Sequence, residues 1–275
     1  MTHRNLVAPT KKAIKLSAIQ PNAGIEAAYR KKLQSLIEEM SRSVIYWTRA
    51  AWRKAPPLAS IAQDREGDRV PILDLRRTME RLGRHWTRRF DDLGPELAEV
   101  FVNGATAHTD AAFMASLKTA GFTVKFQMTQ AAREGYQAVL QENVALIKSI
   151  PENYLQSVQG DVWRAVSGGY DLKKLTNTLQ ERYGVTHRRA AFIARDQSSK
   201  AKAVIENVRR RELGITTAIW QHSGAGKEPR PSHVAANGKP FDLDKGMLID
   251  GEWLLPGVAI NCRCTSRAVI QGFED

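Results

Sequence analysis

Leu213-Gly214-Ile215-Thr216-Thr217-Ala218-Ile219-Trp220, residues 213–220, marks a change of character in the chain. Upstream, apolar residues recur every three or four positions. Downstream they come in short runs between turn residues. Gly214 suits a helix end, because glycine enters the left-handed backbone region without strain. Ile215 to Trp220 is rich in β-branched residues and reads as a strand. Met247-Leu248-Ile249 and Glu252-Trp253-Leu254-Leu255 flank Asp250-Gly251, a pair favoured in two-residue hairpin turns. Ser223-Gly224-Ala225-Gly226 and Asn237-Gly238 read as further turns, and Thr265 to Ile270 as a last strand.

The upstream pattern is helical. Ile25, Tyr29, Leu33, Leu36, Ile37, Met40, Val44, Ile45 and Trp47 form the apolar stripe of a long amphipathic helix. Pro56-Pro57 interrupts it, and Asp64 to Asp68 is a polar loop. Helices are expected over 72–93 and 96–118, separated by Gly94-Pro95, and over 129–147, stopped before Pro151. Thr123 to Phe126 is a short extended segment. Further helices span 151–167, 171–183 and 187–213, with Asp171 as a cap and Gly168-Gly169 as a break. The fold class is therefore α+β: a mostly helical, elongated N-terminal region and a small C-terminal module with a short antiparallel sheet. The expected organisation is a flexible basic arm over 1–21, a helical region over 22–142 and the C-terminal domain over 143–275.

Hydrophobic residues make up 43% of the 275 and charged residues 25%, a globular balance that excludes a disordered chain. No window approaches the roughly 18 apolar residues of a membrane span. No apolar segment follows Lys11, Lys12 and Lys15, so no secretory signal is read and synthesis in the cytoplasm is expected. The net charge of +12 gathers in Arg76-Arg77, Arg88-Arg89, Arg188-Arg189 and Arg209-Arg210-Arg211. Such an excess suits a polyanion, DNA or an acidic protein face, or else solvated helix faces. A helix carrying Arg188, Arg189, Arg195, Lys200, Lys202, Arg209 and Arg210 could track phosphates without reading bases. Trp47 and Trp52 read as core or partner-helix contacts.

The chemistry concentrates in residues 220–264. Cys262 and Cys264 are the two cysteines, too close in sequence for an easy disulfide. With His233 they offer thiolate and imidazole ligands suited to a tetrahedral structural zinc, and His222 or Asp242 could complete the four. The alternative is a packed thiol pair with His233 hydrogen-bonded nearby.

The series Trp220-x-His222, Arg230-Pro231-Ser232-His233, Asn237-Gly238, Pro256-Gly257 and Asn261-Cys262-Arg263-Cys264 resembles the C-terminal signature of the phage Mu F-like head morphogenesis proteins, also called the SPP1 gp7 family. Upstream, Asn143 to Pro151, Gly168-Gly169, Tyr183-Gly184 and Ala194-Arg195-Asp196-Gln197 fall in that family's order, so the resemblance covers about 143–270. Relatives carry Cys-Pro-x-Cys where this chain has Arg230-Pro231-Ser232-His233, which implies a four-ligand site in them. Here Arg230 takes the first ligand's place, and it could pair with a carboxylate such as Asp242 to cross-link the same loops.

The resemblance implies a structural minor capsid protein at the portal vertex, assisting procapsid assembly and DNA packaging or ejection. Its partners would be the portal protein, the major capsid or scaffold protein, and packaged DNA held by charge. It would reside inside the virion head, after assembly in the host cytoplasm, with no membrane involved. Trp220, Arg230, His233, Asn237, Gly238, Cys262 and Cys264 would hold the C-terminal module together, and no residue is assigned a catalytic role. Rival readings are non-specific DNA binding and an effector enzyme. Arg195 with a later Glu would suit ADP-ribosyl transfer, and His222, Glu228, Arg230 and His233 a nuclease. No G-x-S-x-G, H-E-x-x-H or phosphate-binding glycine loop supports an enzyme.

Overall fold

A computed structural model of the chain describes residues 13–54, 71–168, 171–224 and 228–271. The expected Pro56-Pro57 interruption, the 64–68 loop, Gly169, Ala225-Gly226 and most of the basic arm lie outside them. The elements run in the order β1 (Ile14–Lys15), α1 (Ala23–Lys54), α2 (Pro71–Thr119), α3 (Gln130–Ser167), α4 (Leu172–Glu212), β2 (Thr217–Gln221), α5 (Pro231–Ala236), β3 (Pro240–Asp242), β4 (Met247–Ile249), β5 (Glu252–Leu254) and β6 (Thr265–Ile270). The protein is mostly helical α+β with a small antiparallel sheet.

The helices are fewer and longer than the sequence suggests. Gly94-Pro95, Pro151 and Tyr183-Gly184 each lie inside a continuous helix. A proline removes one backbone hydrogen bond, but packing on both sides outweighs that loss. Trp86, Phe90, Ala98, Phe101 and Val102 keep one buried stripe in phase across Pro95, whose ring is exposed. Ile147, Ile150, Tyr154 and Val158 do the same across Pro151.

Two compact units divide the chain, and their segments alternate along the sequence. One comprises residues 1–22, 103–139 and 198–275; the other comprises 23–102 and 140–197. They are not the consecutive stretches expected from sequence, and each of the three longest helices contributes residues to both.

The described residues of the 23–102/140–197 unit are almost all in helices α1 to α4. Leu33, Ile37, Met40 and Val44 of α1 are fully buried at helical spacing. A polar network crosses this core. Tyr29 stacks on Phe101 at 4.3 Å and donates to Asn143 Oδ1 at 3.1 Å; Asn143 Nδ2 donates to Gln197 Oε1 at 2.8 Å. Gln197 and Asp196 are therefore fixed inside the helix packing. Of the two tryptophans, Trp52 is buried, while Trp47 is exposed beneath the Arg81 guanidinium at 5.7 Å.

The other unit holds every strand among the described residues. Its sheet has the order β1-β6-β2-β3, all antiparallel, with β4-β5 as a separate hairpin. Ile14 pairs with Ile270, Ala218 with Ala268 and Phe241 with Ala218. Leu16 and Ile19 are buried, so residues 14–19 are part of the unit and not of a free arm. Pro240 is tolerated because β3 is an edge strand. The short extended segment 123–126 alternates in burial, but it forms no ladder. The sheet packs on Phe113 and Leu117 of α2 around Trp220, Phe241, Leu243 and Ile249.

The Asp250-Gly251 turn appears as expected, both residues at positive φ (52° and 85°), the geometry of a type I′ hairpin. Gly246, at φ 85°, is the tighter point: a Cβ there would meet the Leu254 carbonyl oxygen at 2.7 Å. Gly246→Ala is expected to destabilise by about 1–3 kcal/mol in urea unfolding, and more than Gly251→Ala, which meets strain but no neighbour. Equal losses at the two positions would show that the Leu254 contact does not matter.

Candidate functional site

Three of the residues singled out in the sequence converge at one point. His233 comes from α5, and Cys262 and Cys264 from the loop entering β6. All three are buried, and His233 Nδ1 lies 3.5 Å from Cys262 Sγ and 3.7 Å from Cys264 Sγ. Both cysteines are free thiols. Helix α5 escaped the sequence reading, although its signals are present: Pro231 at the first helical position and Asn237-Gly238 as a stop.

The rest of the motif builds the frame. Trp220 is fully buried at the end of β2, edge-on to His233 (5.5 Å) and to Phe241 (6.0 Å). Its backbone N–H donates to Lys239 O, and its carbonyl accepts from Gly238 N–H. Asn237 Oδ1 accepts from the His222 N–H at 2.9 Å, tying the strand end to α5. Arg230 donates to the Ile260 carbonyl at 2.9 Å, and Ser232 to Asp250 Oδ2 at 2.8 Å. Arg230 thus cross-links the loops, but through a carbonyl and not through Asp242.

Asp242 is spoken for elsewhere. Its Oδ1 accepts from the N–H groups of Asp244 (2.7 Å) and Lys245 (3.3 Å), so it shapes the β3–β4 turn and is not brought to the cysteines. His222 stands nearer: with Glu228 and Arg230 it lines a cavity of about 210 Å³ that opens beside His233 and both sulfurs. The nuclease-like set His222, Glu228, Arg230 and His233 therefore shares one small cavity. His222 Nδ1 already accepts from Gly224 N–H at 3.1 Å.

The two thiols behave as a coupled pair. The hydrogen bond from Cys264 draws the Cys262 thiol down to about 5 against the opposing effect of burial, with help from the N–H groups of Cys264 and Gly257 and from His233. That same bond, burial and the Cys262 charge push Cys264 up. The Ser223 N–H favours the Cys264 thiolate in the opposite sense.

The basic helix reads differently in space. Lys202, Arg209 and Arg210 are buried on α4. Arg209 forks onto Asp110 with two 2.8 Å bonds, and Arg211 pairs with Asp244 at 2.9 Å. These cations hold the unit together and are not a phosphate track. In the helical unit Arg84, Arg88 and Arg89 of α2, and Arg188 and Arg189 of α4, remain exposed.

Residues 156–267 match the family model described as Phage Mu protein F like protein. A protein of Haemophilus influenzae (strain ATCC 51907 / DSM 11121 / KW20 / Rd), described as an uncharacterized protein, is 27% identical over 266 residues. The match covers 96% of this chain and 57% of that relative, so the chain spans little more than half of its length. No solved structure matches. The matched segment carries β2 to β5, the first half of β6, and the whole His233, Cys262 and Cys264 cluster, so in this part the chain is similar to the phage Mu F-like proteins.

Proposed function

We propose that the chain is a structural minor capsid protein that joins the procapsid at the portal vertex and assists DNA packaging or ejection. The observation that carries this reading is the family match over residues 156–267, the segment bearing the buried motif. Trp220, His233, Cys262 and Cys264 turn inward and tie loops to the sheet, as a structural module requires. The net charge of +12 and the exposed Arg84, Arg88 and Arg89 suit an acidic portal or scaffold face, or packaged DNA held through its phosphates. The chain would reside within the virion head; no helix of the described residues is long and apolar enough to cross a membrane.

The test is to mix the folded chain with the portal protein encoded beside its gene and weigh the product by native mass measurement. A complex with a fixed number of copies per portal ring is the expected result. Failure of two folded proteins to associate would overturn the portal assignment and return the effector-enzyme reading to first place.

A further inference from the structure

We propose that His233, Cys262 and Cys264 bind a thiophilic divalent cation of the zinc class, with a fourth coordination position left open to the cavity beside His222, Glu228 and Arg230. This holds independently of the portal reading.

The geometry comes first. A single imidazole nitrogen stands nearly equidistant from two sulfurs, at 3.5 and 3.7 Å. Neutral Nδ1 has one lone pair, so a hydrogen-bonded core histidine would favour one thiol over the other. Two ligands bonded at about 2.3 Å (sulfur) and 2.0–2.1 Å (nitrogen) to a tetrahedral ion sit roughly 3.6 Å apart, which both distances approximate. The three ligating atoms all lie within 4.8 Å of one another.

The surroundings add an independent argument. The N–H groups of Gly257 and Cys264 reach the Cys262 sulfur, and that of Ser223 reaches Cys264. The Trp220 indole nitrogen is buried in the same module with no hydrogen-bond partner. Such donors support thiolates, as the outer shell of a thiolate–metal site does. Two buried thiolates without a cation would be costly, whereas two thiolates, a neutral imidazole and a divalent ion sum to zero charge.

The fourth position follows from what is missing around the ion. Asp242 is held in the β3–β4 turn, and His222 is not among the atoms that cluster. The polar cavity lined by His222, Glu228 and Arg230 borders both sulfurs. Water or a small anion would take that position, and an open position is what separates an exchanging site from a sealed one.

Full-length chain, stripped of metal under reducing conditions and titrated with Co2+, is expected to bind one ion. It should develop the strong ultraviolet thiolate-to-metal absorption and the intense visible bands of four-coordinate cobalt. Excess Zn2+ should erase this spectrum. Cys264→Ser and His233→Ala should lose the ultraviolet band, His222→Ala should keep it, and azide should shift the visible bands of the wild type. Circular dichroism checks the fold of each variant, and the wild-type titration decides even where a variant unfolds. Folded wild-type chain without the thiolate band overturns the metal site. A folded His222→Ala protein that loses the visible bands, or a wild type indifferent to azide, overturns the open position.

Discussion

Replacing Glu206 with alanine is expected to destabilise the protein by about 3–5 kcal/mol, enough to remove much of the stability of an ordinary domain. Lys202, Glu206 and Arg210 follow one another at four-residue intervals on one face of α4, and all three are nearly fully buried. Glu206 accepts from Lys202 Nζ at 3.0 Å and from Arg210 Nη2. Arg210 also donates to Ser266 Oγ at 2.7 Å and to the Ser266 carbonyl at 3.0 Å, fastening the helix to β6. Burial pushes the Arg210 guanidinium below its ordinary range, and the Glu206 charge opposes that shift. Without the carboxylate, two cations would share a dry space with no counter-charge. Replacing all three residues with apolar side chains of similar size should recover most of the loss, because the desolvation penalty then disappears along with the pairing. Urea unfolding of both variants measures the effect. A loss below about 1 kcal/mol for Glu206→Ala would mean that water reaches the cluster.

Trp220→Ala should cost about 3–5 kcal/mol for a different reason, the cavity left by the largest fully buried side chain. The indole fills the space between His233 and Phe241, so its removal unpacks the site as well as the sheet. Reaction of Cys262 and Cys264 with a thiol reagent under native conditions should therefore accelerate in Trp220→Ala and far less in Trp220→Phe. Unchanged thiol protection in the alanine variant would show that the cysteines are shielded without the ring.

Local signals in the sequence were read well wherever the structure is local. The first long helix, the Asp250-Gly251 hairpin and the strand Thr265 to Ile270 all follow from periodicity and turn chemistry. Gly94-Pro95, Pro151 and Gly184 do not end helices, because punctuation residues act on one hydrogen bond while packing acts on whole faces. Strand β1 has two residues and exists only through its partner some 250 positions away, so no window of sequence could contain its signal. At the site, residue types alone brought His233, Cys262 and Cys264 together on the page, as they are in space. Asp242 misled because a carboxylate's preference for turn N–H groups is invisible until the turn is known. The arginines of α4 misled because charge in a sequence carries no sign of burial, and the acids that match them stand on the next helical turn or far away in the chain.

The position of β6 also sets when this unit can be completed. Strand β6 lies between β1, whose residues come some 250 positions earlier in the chain, and β2. While residues 265–270 are still unmade, β1 has nothing to pair with and one long edge of β2 is open. Closure must therefore wait until residues 265–270 are made, and it joins segments of very high sequence separation, which slows folding. Any partner that recognises the finished sheet will select chains in which residues 14–15 and 265–270 have already met, so the order of strands acts as a check that this unit has closed before assembly.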